Sequence, residues 1–244
     1  MTEPDQDCID AKDAIPELCR ECTARHRGIC GALLPEELTA LNKISRQKSF
    51  KDGRTLIAEE EEFPFFASVL EGVVKLSKTL PDGRQQIVGL QFAPDFMGRP
   101  FQAESHLSVE TASDVKLCTV PRKRFEKLLA SSPQLQQRLF RQTLLELDES
   151  REWLVALGRK TASERVASFL YMIAKHIPCS KEGENTTTFD LPLTRADMAD
   201  FLGLTIETVS RQLSKLKKKK IVSISHNRHI VIHDLELLQD VGQK

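Results

Sequence analysis

No run of 18 apolar residues occurs anywhere in the 244-residue chain. No segment therefore has the length and apolarity to cross a bilayer as a helix. The opening residues, MTEPDQDCID, are acidic and polar and lack the apolar stretch of a secretory signal. The cytoplasm is the expected compartment. Internal repeats are absent, and the only low-complexity tract is the short lysine run from Lys217 to Lys220. Neither sign of charge is in excess, with Lys+Arg at 35 and Asp+Glu at 35. That balance excludes a polybasic coat protein and an acidic solvating chain. With 40% apolar and 29% charged residues the composition is that of an ordinary globular protein. The length suits one large domain or two small ones.

The charge is unevenly placed. Residues 159–244 hold 14 basic and 10 acidic side chains, and residues 1–158 hold 21 and 25. A basic C-terminal third is compatible with nucleic-acid binding. The cysteines are uneven too. Cys8, Cys19, Cys22 and Cys30 fall within the first 34 residues, whereas Cys118 and Cys179 lie far downstream. In a reducing compartment, metal, cluster or redox roles outrank structural disulfides for such a set.

Four segments are expected: a Cys-rich segment 1–34, a domain 35–132, a long helix 133–158 and a domain 159–244. Pro35, Leu38, Leu41 and Ile44 predict a short helix over 35–49. From Phe50 to Pro121 short apolar runs alternate with the turn signals Asp52-Gly53, Glu71-Gly72 and Pro81-Asp82-Gly83. This predicts an antiparallel sandwich or barrel, with strands at Phe66–Leu70, Val73–Leu76 and Gln86–Leu90. Pro133–Gly158 has no internal proline after its first residue. Phe140, Leu144, Leu147, Leu154 and Gly158 form a coiled-coil-like seam broken by Arg151. A second stripe carries Leu145, Asp148, Glu152 and Val155. Two usable faces suit a dimer; a plain amphipathic core helix fits the same spacing. A further helix is expected from about Ser163 to His176, then a polar loop from Pro178 to Thr188.

The C-terminal domain holds the sharpest local signals. Thr194 can cap a helix over 195–202, with Asp197 at its third position. Gly203 can end that helix at positive φ, and Thr205 can cap the next one, Ile206 to about Lys219. Ile206, Val209, Leu213 and Leu216 are expected to bury one face. Glu207, Ser210 and Arg211 lie on another, one turn apart. This is a helix–turn–helix with a polar reading face. Arg suits guanine O6 and N7, a carboxylate suits cytosine N4, and Ser suits either kind of group. Glu207 and Arg211 could also pair with each other. Lys215 and Lys217–Lys220 suit phosphates. A hairpin around His226–His229 would be a wing.

Thr205-Ile206-Glu207-Thr208-Val209-Ser210-Arg211 resembles the recognition-helix motif of the CRP/FNR family of bacterial transcription regulators. The order of parts matches over essentially the whole chain. The resemblance implies an α+β fold: an N-terminal antiparallel β-roll of the cyclic-nucleotide-binding kind, a long dimerisation helix and a C-terminal winged helix-turn-helix. Cys19-x₂-Cys22-x₇-Cys30 with Cys118 places the similarity in the FNR branch. Asp95-Phe96-Met97-Gly98-Arg99-Pro100 and Leu157-Gly158-Arg159-Lys160-Thr161 resemble its FnrL/FnrN type, which senses oxygen through an iron–sulfur cluster.

On that resemblance Cys19, Cys22, Cys30 and Cys118 hold a [4Fe–4S] cluster. Glu207, Ser210 and Arg211 read TTGAT-type half-sites in a two-fold symmetric operator, with Lys215 and Lys217 on phosphates. Leu144, Leu145, Leu147, Asp148, Glu152, Leu154 and Val155 lie at a homodimer interface. RNA polymerase is a further partner, with the loop Thr79–Arg84 as a candidate contact. The protein would be a non-enzymatic activator under low oxygen. Spacing alone also fits a redox dithiol or a zinc half-site at Cys19 and Cys22. Cys8 could replace Cys19, and Cys179 reads as a non-ligand thiol. Arg20, Arg25, His26 and Arg27 are expected to lower the neighbouring thiol pKa values. Cys118 is expected on the outer face of its strand with Lys116. A cyclic nucleotide is not expected, because Leu107 stands about where an anion-binding Arg would be needed and Arg99 follows Gly98. The other reading is a regulator on the same scaffold that answers a small molecule or thiol redox without a cluster.

Overall fold

The computed structural model describes residues 15–102, 104–176 and 185–243. Cys8 and Cys179 lie outside the described residues. The chain forms two compact units, Met1–Leu76 with Leu90–Leu147, and Ser77–Gly89 with Asp148–Lys244.

In the first unit, short helical turns at Glu17–Arg20, Thr23–His26 and Ile29–Ala32 lead to a helix at Pro35–Ile44. Pro35 sits at its first turn, and Glu37 closes the start by accepting from the Leu34 N–H at 2.9 Å. The helix stops earlier than the periodicity suggests. Arg46–Phe50 instead forms β1, paired antiparallel with β8 (Val115–Pro121). Continuing the helix would have cost that ladder its backbone hydrogen bonds. One sheet runs β1-β8-β3-β6, with β3 at Phe65–Glu71 and β6 at Phe96–Met97. A second four-stranded sheet runs β2-β7-β4-β5, with β2 at Thr55–Ile57, β7 at Ser108–Thr111, β4 at Val74–Thr79 and β5 at Gln85–Gln91, the stretch Ser77–Gly89 of its last two strands belonging to the second unit.

Alternation along β8 puts Val115 and Leu117 inside and leaves Lys116 and Cys118 half-buried on the other face. Phe66 and Phe125 meet edge to face at 5.4 Å, and Phe96 stacks on Phe125 at 5.0 Å. Phe125 comes from a helix at Arg122–Ser131 that the sequence pattern does not announce. The long helix, Pro133–Arg159, has 27 residues. Leu135 is fully buried in the same core as Ile29 and Phe125.

In the second unit the helix Ala162–His176 is the centrepiece. Val166, Phe169, Leu170 and Ile173 are fully buried along one stripe. A terminal helix, Leu235–Gln243, follows the wing and packs on Ala162–His176, where Tyr171 donates to Gln239 Oε1 at 2.8 Å. Trp153 meets Phe201 edge to face at 4.6 Å, and Phe169 lies 5.6 Å from the same ring. Arg165 ties three carbonyls together: Lys160 O at 3.0 Å, Leu202 O at 3.0 Å and Leu157 O at 2.6 Å. Helix ends leave such carbonyls without intrahelical partners, and one guanidinium satisfies all three. The polar loop expected to reach Thr188 ends earlier. Thr187–Asp190 is β9, the third strand of a sheet ordered β10-β11-β9 with β10 at Val222–Ser225 and β11 at His229–Ile232.

Candidate nucleic-acid interface and cysteine site

The helix-turn-helix is built by local caps. Thr194 Oγ1 accepts from the Asp197 N–H at 3.1 Å, and the Asp197 carboxylate accepts from the Thr194 N–H at 3.0 Å. The helix Arg195–Leu202 ends at Gly203, whose φ of 60° is left-handed. Thr205 then caps Ile206–Lys218 by accepting from the Thr208 N–H at 3.3 Å. Val209, Leu213 and Leu216 are buried. Ile206 is not; it is 47% exposed at the first position of the helix, beyond the reach of the core.

Glu207, Ser210, Arg211, Lys215 and Lys217 are all exposed. Arg211 donates to the Thr208 hydroxyl at 3.3 Å rather than pairing with Glu207. Hydrogen bonds from its own backbone N–H and the Thr205 hydroxyl hold Glu207 below the ordinary glutamate range. Glu207 and Arg211 are thus each held by groups of their own helix start, and both remain exposed. Lys217 turns toward the wing and donates to Ile224 O at 3.3 Å. The wing tip turns through His226 and Asn227, both at positive φ. Arg195 donates to Asn227 O at 3.0 Å and so supports that turn, a role that its sequence position does not reveal. The loop at Thr79–Arg84 is a tight exposed turn, with Arg84 on Asp82 at 2.7 Å.

Along the long helix Phe140, Leu144, Leu145, Leu147, Leu154 and Val155 are all exposed, Leu154 at 69%. Each such side chain gains roughly 1.5–3 kcal/mol on full burial. Asp148 pairs with Arg151 at 3.2 Å, and Glu152 is exposed.

The four predicted ligand cysteines are free thiols and each is half-buried. Cys22 caps the turn Thr23–His26 through its carbonyl, which accepts from the Arg25 and His26 N–H groups. Cys30 packs against the first unit's core. Cys118 lies opposite Gln47 on β1 and Ser68 on β3. Gln47 and Cys22 line the same cleft, together with Glu71 and Lys116.

The thiols share one electrostatic neighbourhood. Burial pushes Cys30 up to about 12, and the Cys118, Cys22 and Cys19 thiols add to the shift. Burial also raises Cys118, the Ser45 hydroxyl opposes this, and Cys22 and Cys19 reinforce it. Cys19 is raised as well, by burial and then by Cys22, against a smaller lowering by Arg25. The expected lowering by a nearby cation is thus present at Cys19, through Arg25, but burial outweighs it, and among the described residues no cation is a main influence on the rise at Cys30 or Cys118. Arg20 is turned to Ile15 O at 3.2 Å, and the His26 ring lies on Arg20 O at 2.8 Å. Among the described residues no three His, Cys, Asp or Glu side chains converge tightly enough to hold one metal ion.

Two sequence families match the chain: the Crp-like helix-turn-helix domain over residues 164–241 and the cyclic nucleotide-binding domain over 47–132. With the exposed recognition helix, they define a DNA-binding transcription regulator built on a β-roll. A "probable transcriptional activator" of Rhizobium leguminosarum bv. viciae is 49% identical over 224 residues, covering 92% of each chain. The transcriptional activator protein FnrL of Cereibacter sphaeroides is 43% identical over 227 residues, again 92% of each. The solved structure of FixK2 from Bradyrhizobium japonicum superposes with a TM-score of 0.74 at 31% identity, covering 81% of this chain and 97% of that one. The chain belongs to the CRP/FNR family of transcription regulators, which are DNA-binding proteins and not enzymes.

Proposed function

We propose that the chain is an oxygen-responsive transcriptional activator. Under low oxygen it binds two-fold symmetric, TTGAT-type DNA sites as a homodimer. Cys19, Cys22, Cys30 and Cys118 would hold a [4Fe–4S] cluster. The observation that carries this reading is that Cys22 lines a cleft with Gln47, the β1 partner of Cys118, and that the Cys118, Cys22 and Cys19 thiols all add to the rise at Cys30. The donor set fits the group. A single ion needs its ligands about 2.3 Å from one point, whereas a four-iron cluster takes one thiolate at each of four corners and suits a looser quartet. When bound, the cluster would supply an oxygen- and redox-sensitive link among the four thiolates.

The remaining roles belong to the chain's own residues. Leu144, Leu145, Leu147, Leu154 and Val155 offer the apolar surface that a second copy would bury. Glu152, and Asp148 where Arg151 leaves it uncompensated, oppose that pairing by like charge. Glu207, Ser210 and Arg211 face outward as base readers, Lys215 and Lys217 serve phosphates, and the Thr79–Arg84 loop is a contact for RNA polymerase. The expected domain limits of 1–34, 35–132, 133–158 and 159–244 are part of this proposal.

The test is operator binding by the anaerobically purified protein, with the absorption spectrum recorded on the same sample. A cluster band accompanied by dimeric, half-site-specific binding supports the proposal. Colourless protein that binds the operator equally well with and without air favours the cluster-free reading instead.

A further inference from the structure

The long helix and the cysteine segment are joined by a hydrogen bond that neither the recognition motif nor the ligand set explains. Arg138 Nη2 donates to the carbonyl of Arg27 at 2.6 Å. Arg27 lies between Cys22 and Cys30, in the loop where the thiols are expected to gather. The loop has little freedom to move its carbonyl. Arg27 N–H is bonded to Thr23 O at 2.9 Å and Gly28 N–H to Ala24 O at 3.1 Å. Gly28 is buried so tightly that a Cβ there would meet Pro94 O at 2.8 Å and Ala24 O at 2.9 Å. On the other side of the bond, Leu135 and Leu139 seat the helix in the core that also holds Ile29 and Cys30. Arg138 is therefore a polar contact at the rim of an apolar one.

Its place on the helix gives the contact a consequence. Arg138, Arg141, Leu145, Asp148, Glu152 and Val155 follow one another at steps of three and four residues, which is one stripe of an α-helix. The exposed seam of Phe140, Leu144, Leu147 and Leu154 runs beside that stripe. A loop held at Arg138 grips the stripe at its N-terminal end and leaves the seam open to a second copy.

We infer that Arg138 is the positioning residue that couples the order of the Cys22–Cys30 loop to that of the long helix. The inference rests on the proposed role of these cysteines for its regulatory meaning, but the coupling itself is a property of the chain alone. Coupling between two sites is reciprocal, so loosening the loop must loosen the helix, and removing the guanidinium must disconnect them.

The experiment is hydrogen exchange by mass spectrometry on the full chain under reducing conditions, comparing wild type, R138M, R138K and G28A with the R138M/G28A double variant. R138M keeps the aliphatic length and loses the donors. Loop amides over residues 20–34 are expected to exchange about tenfold faster in R138M, the scale of one missing charge-assisted hydrogen bond. R138K should fall between R138M and wild type. G28A should speed exchange in residues 133–147 when Arg138 is present and add little on top of R138M. Wild-type loop protection in R138M, or a G28A effect on the helix that is undiminished in the double variant, would overturn the inference.

A second measurement separates this outcome from failure of the cluster reading. Anaerobically reconstituted R138M is expected to take up the same iron and sulfide as wild type, yet to gain less dimer by sedimentation. Equal dimer gain at equal loading overturns the coupling. A wild-type chain that takes up no iron counts against the cluster reading, and the exchange experiment then decides on Arg138 by itself.

Discussion

Replacing Arg211 with alanine tests base readout with little interference from folding. The side chain is exposed, and its hydrogen bond within the chain is one 3.3 Å contact to the Thr208 hydroxyl. Exposed substitutions that break no cap or buried pair usually change stability by at most about 0.5 kcal/mol, and Thr205 rather than Arg211 caps this helix. The unfolding midpoint should therefore barely move. DNA binding should move a great deal. A bidentate arginine–guanine pair contributes about 1–3 kcal/mol of discrimination, which is roughly 5- to 150-fold per half-site. A symmetric operator has two half-sites, so the loss on the matched sequence should be about the square of that factor where the sites act independently. On an operator whose half-site G·C pair is replaced, Arg211 has no such partner and R211A should bind nearly as wild type does. Fluorescence anisotropy under anaerobic conditions, with matched and substituted operators at two salt concentrations, reads both quantities. Equal weakening on the two operators, with the preference intact, would make Arg211 a phosphate contact and refute the assignment of this face.

Three other outcomes follow from the same geometry. Gly203→Ala should cost about 1–2 kcal/mol in thermal unfolding through its left-handed backbone, because the added Cβ meets Arg165 Nη1 at 3.7 Å and Leu157 Cδ2 at 3.8 Å, which are ordinary contacts; a neutral change would show that the turn relaxes. Neutralising Lys218, Lys219 and Lys220 should weaken binding to matched and unmatched DNA alike, and should lower the log–log salt slope by about 0.9 for each phosphate that is no longer neutralised; an unchanged slope would place these lysines off the DNA. Glu152→Ala should raise the dimer fraction of cluster-free protein in sedimentation, and Asp148→Ala should do so less, because Arg151 already pairs with Asp148 at 3.2 Å; an unchanged monomer in both would reject the charge argument.

The helix-turn-helix was legible because its signals are local. Thr194, Asp197, Gly203 and Thr205 each act within four residues of the backbone group they satisfy. Elements whose existence depends on distant pairing were not. Arg46–Phe50 has four exposed positions in a row and no alternation, and becomes a strand only because β8 lies beside it. Thr187–Asp190 gains its identity from His229–Ile232, some forty residues away. The helix Arg122–Ser131 has no side-chain cap and buries only Phe125 and Leu129, too sparse a stripe to announce itself.

The site shows the same division. Which face of the recognition helix is exposed could be read from periodicity, but the Glu207–Arg211 pair was outcompeted by shorter-range bonds to Thr208 and to the helix start. The raised thiols follow from burial, which spacing does not report. Arg138 and Arg195 act on carbonyls, and a carbonyl partner leaves no trace in a sequence.

Four named thiols holding an iron–sulfur cluster that governs DNA binding are the centre of the proposed function. The most direct measurement is iron and acid-labile sulfide per chain in anaerobically purified wild type, C118S, C8S and C179S, with operator affinity measured on the same samples. About four iron and four sulfide per chain are expected in wild type, C8S and C179S, with loss of both cluster and anaerobic operator binding in C118S. A C118S protein with a full complement of iron and sulfide and wild-type affinity would contradict that role for the thiols.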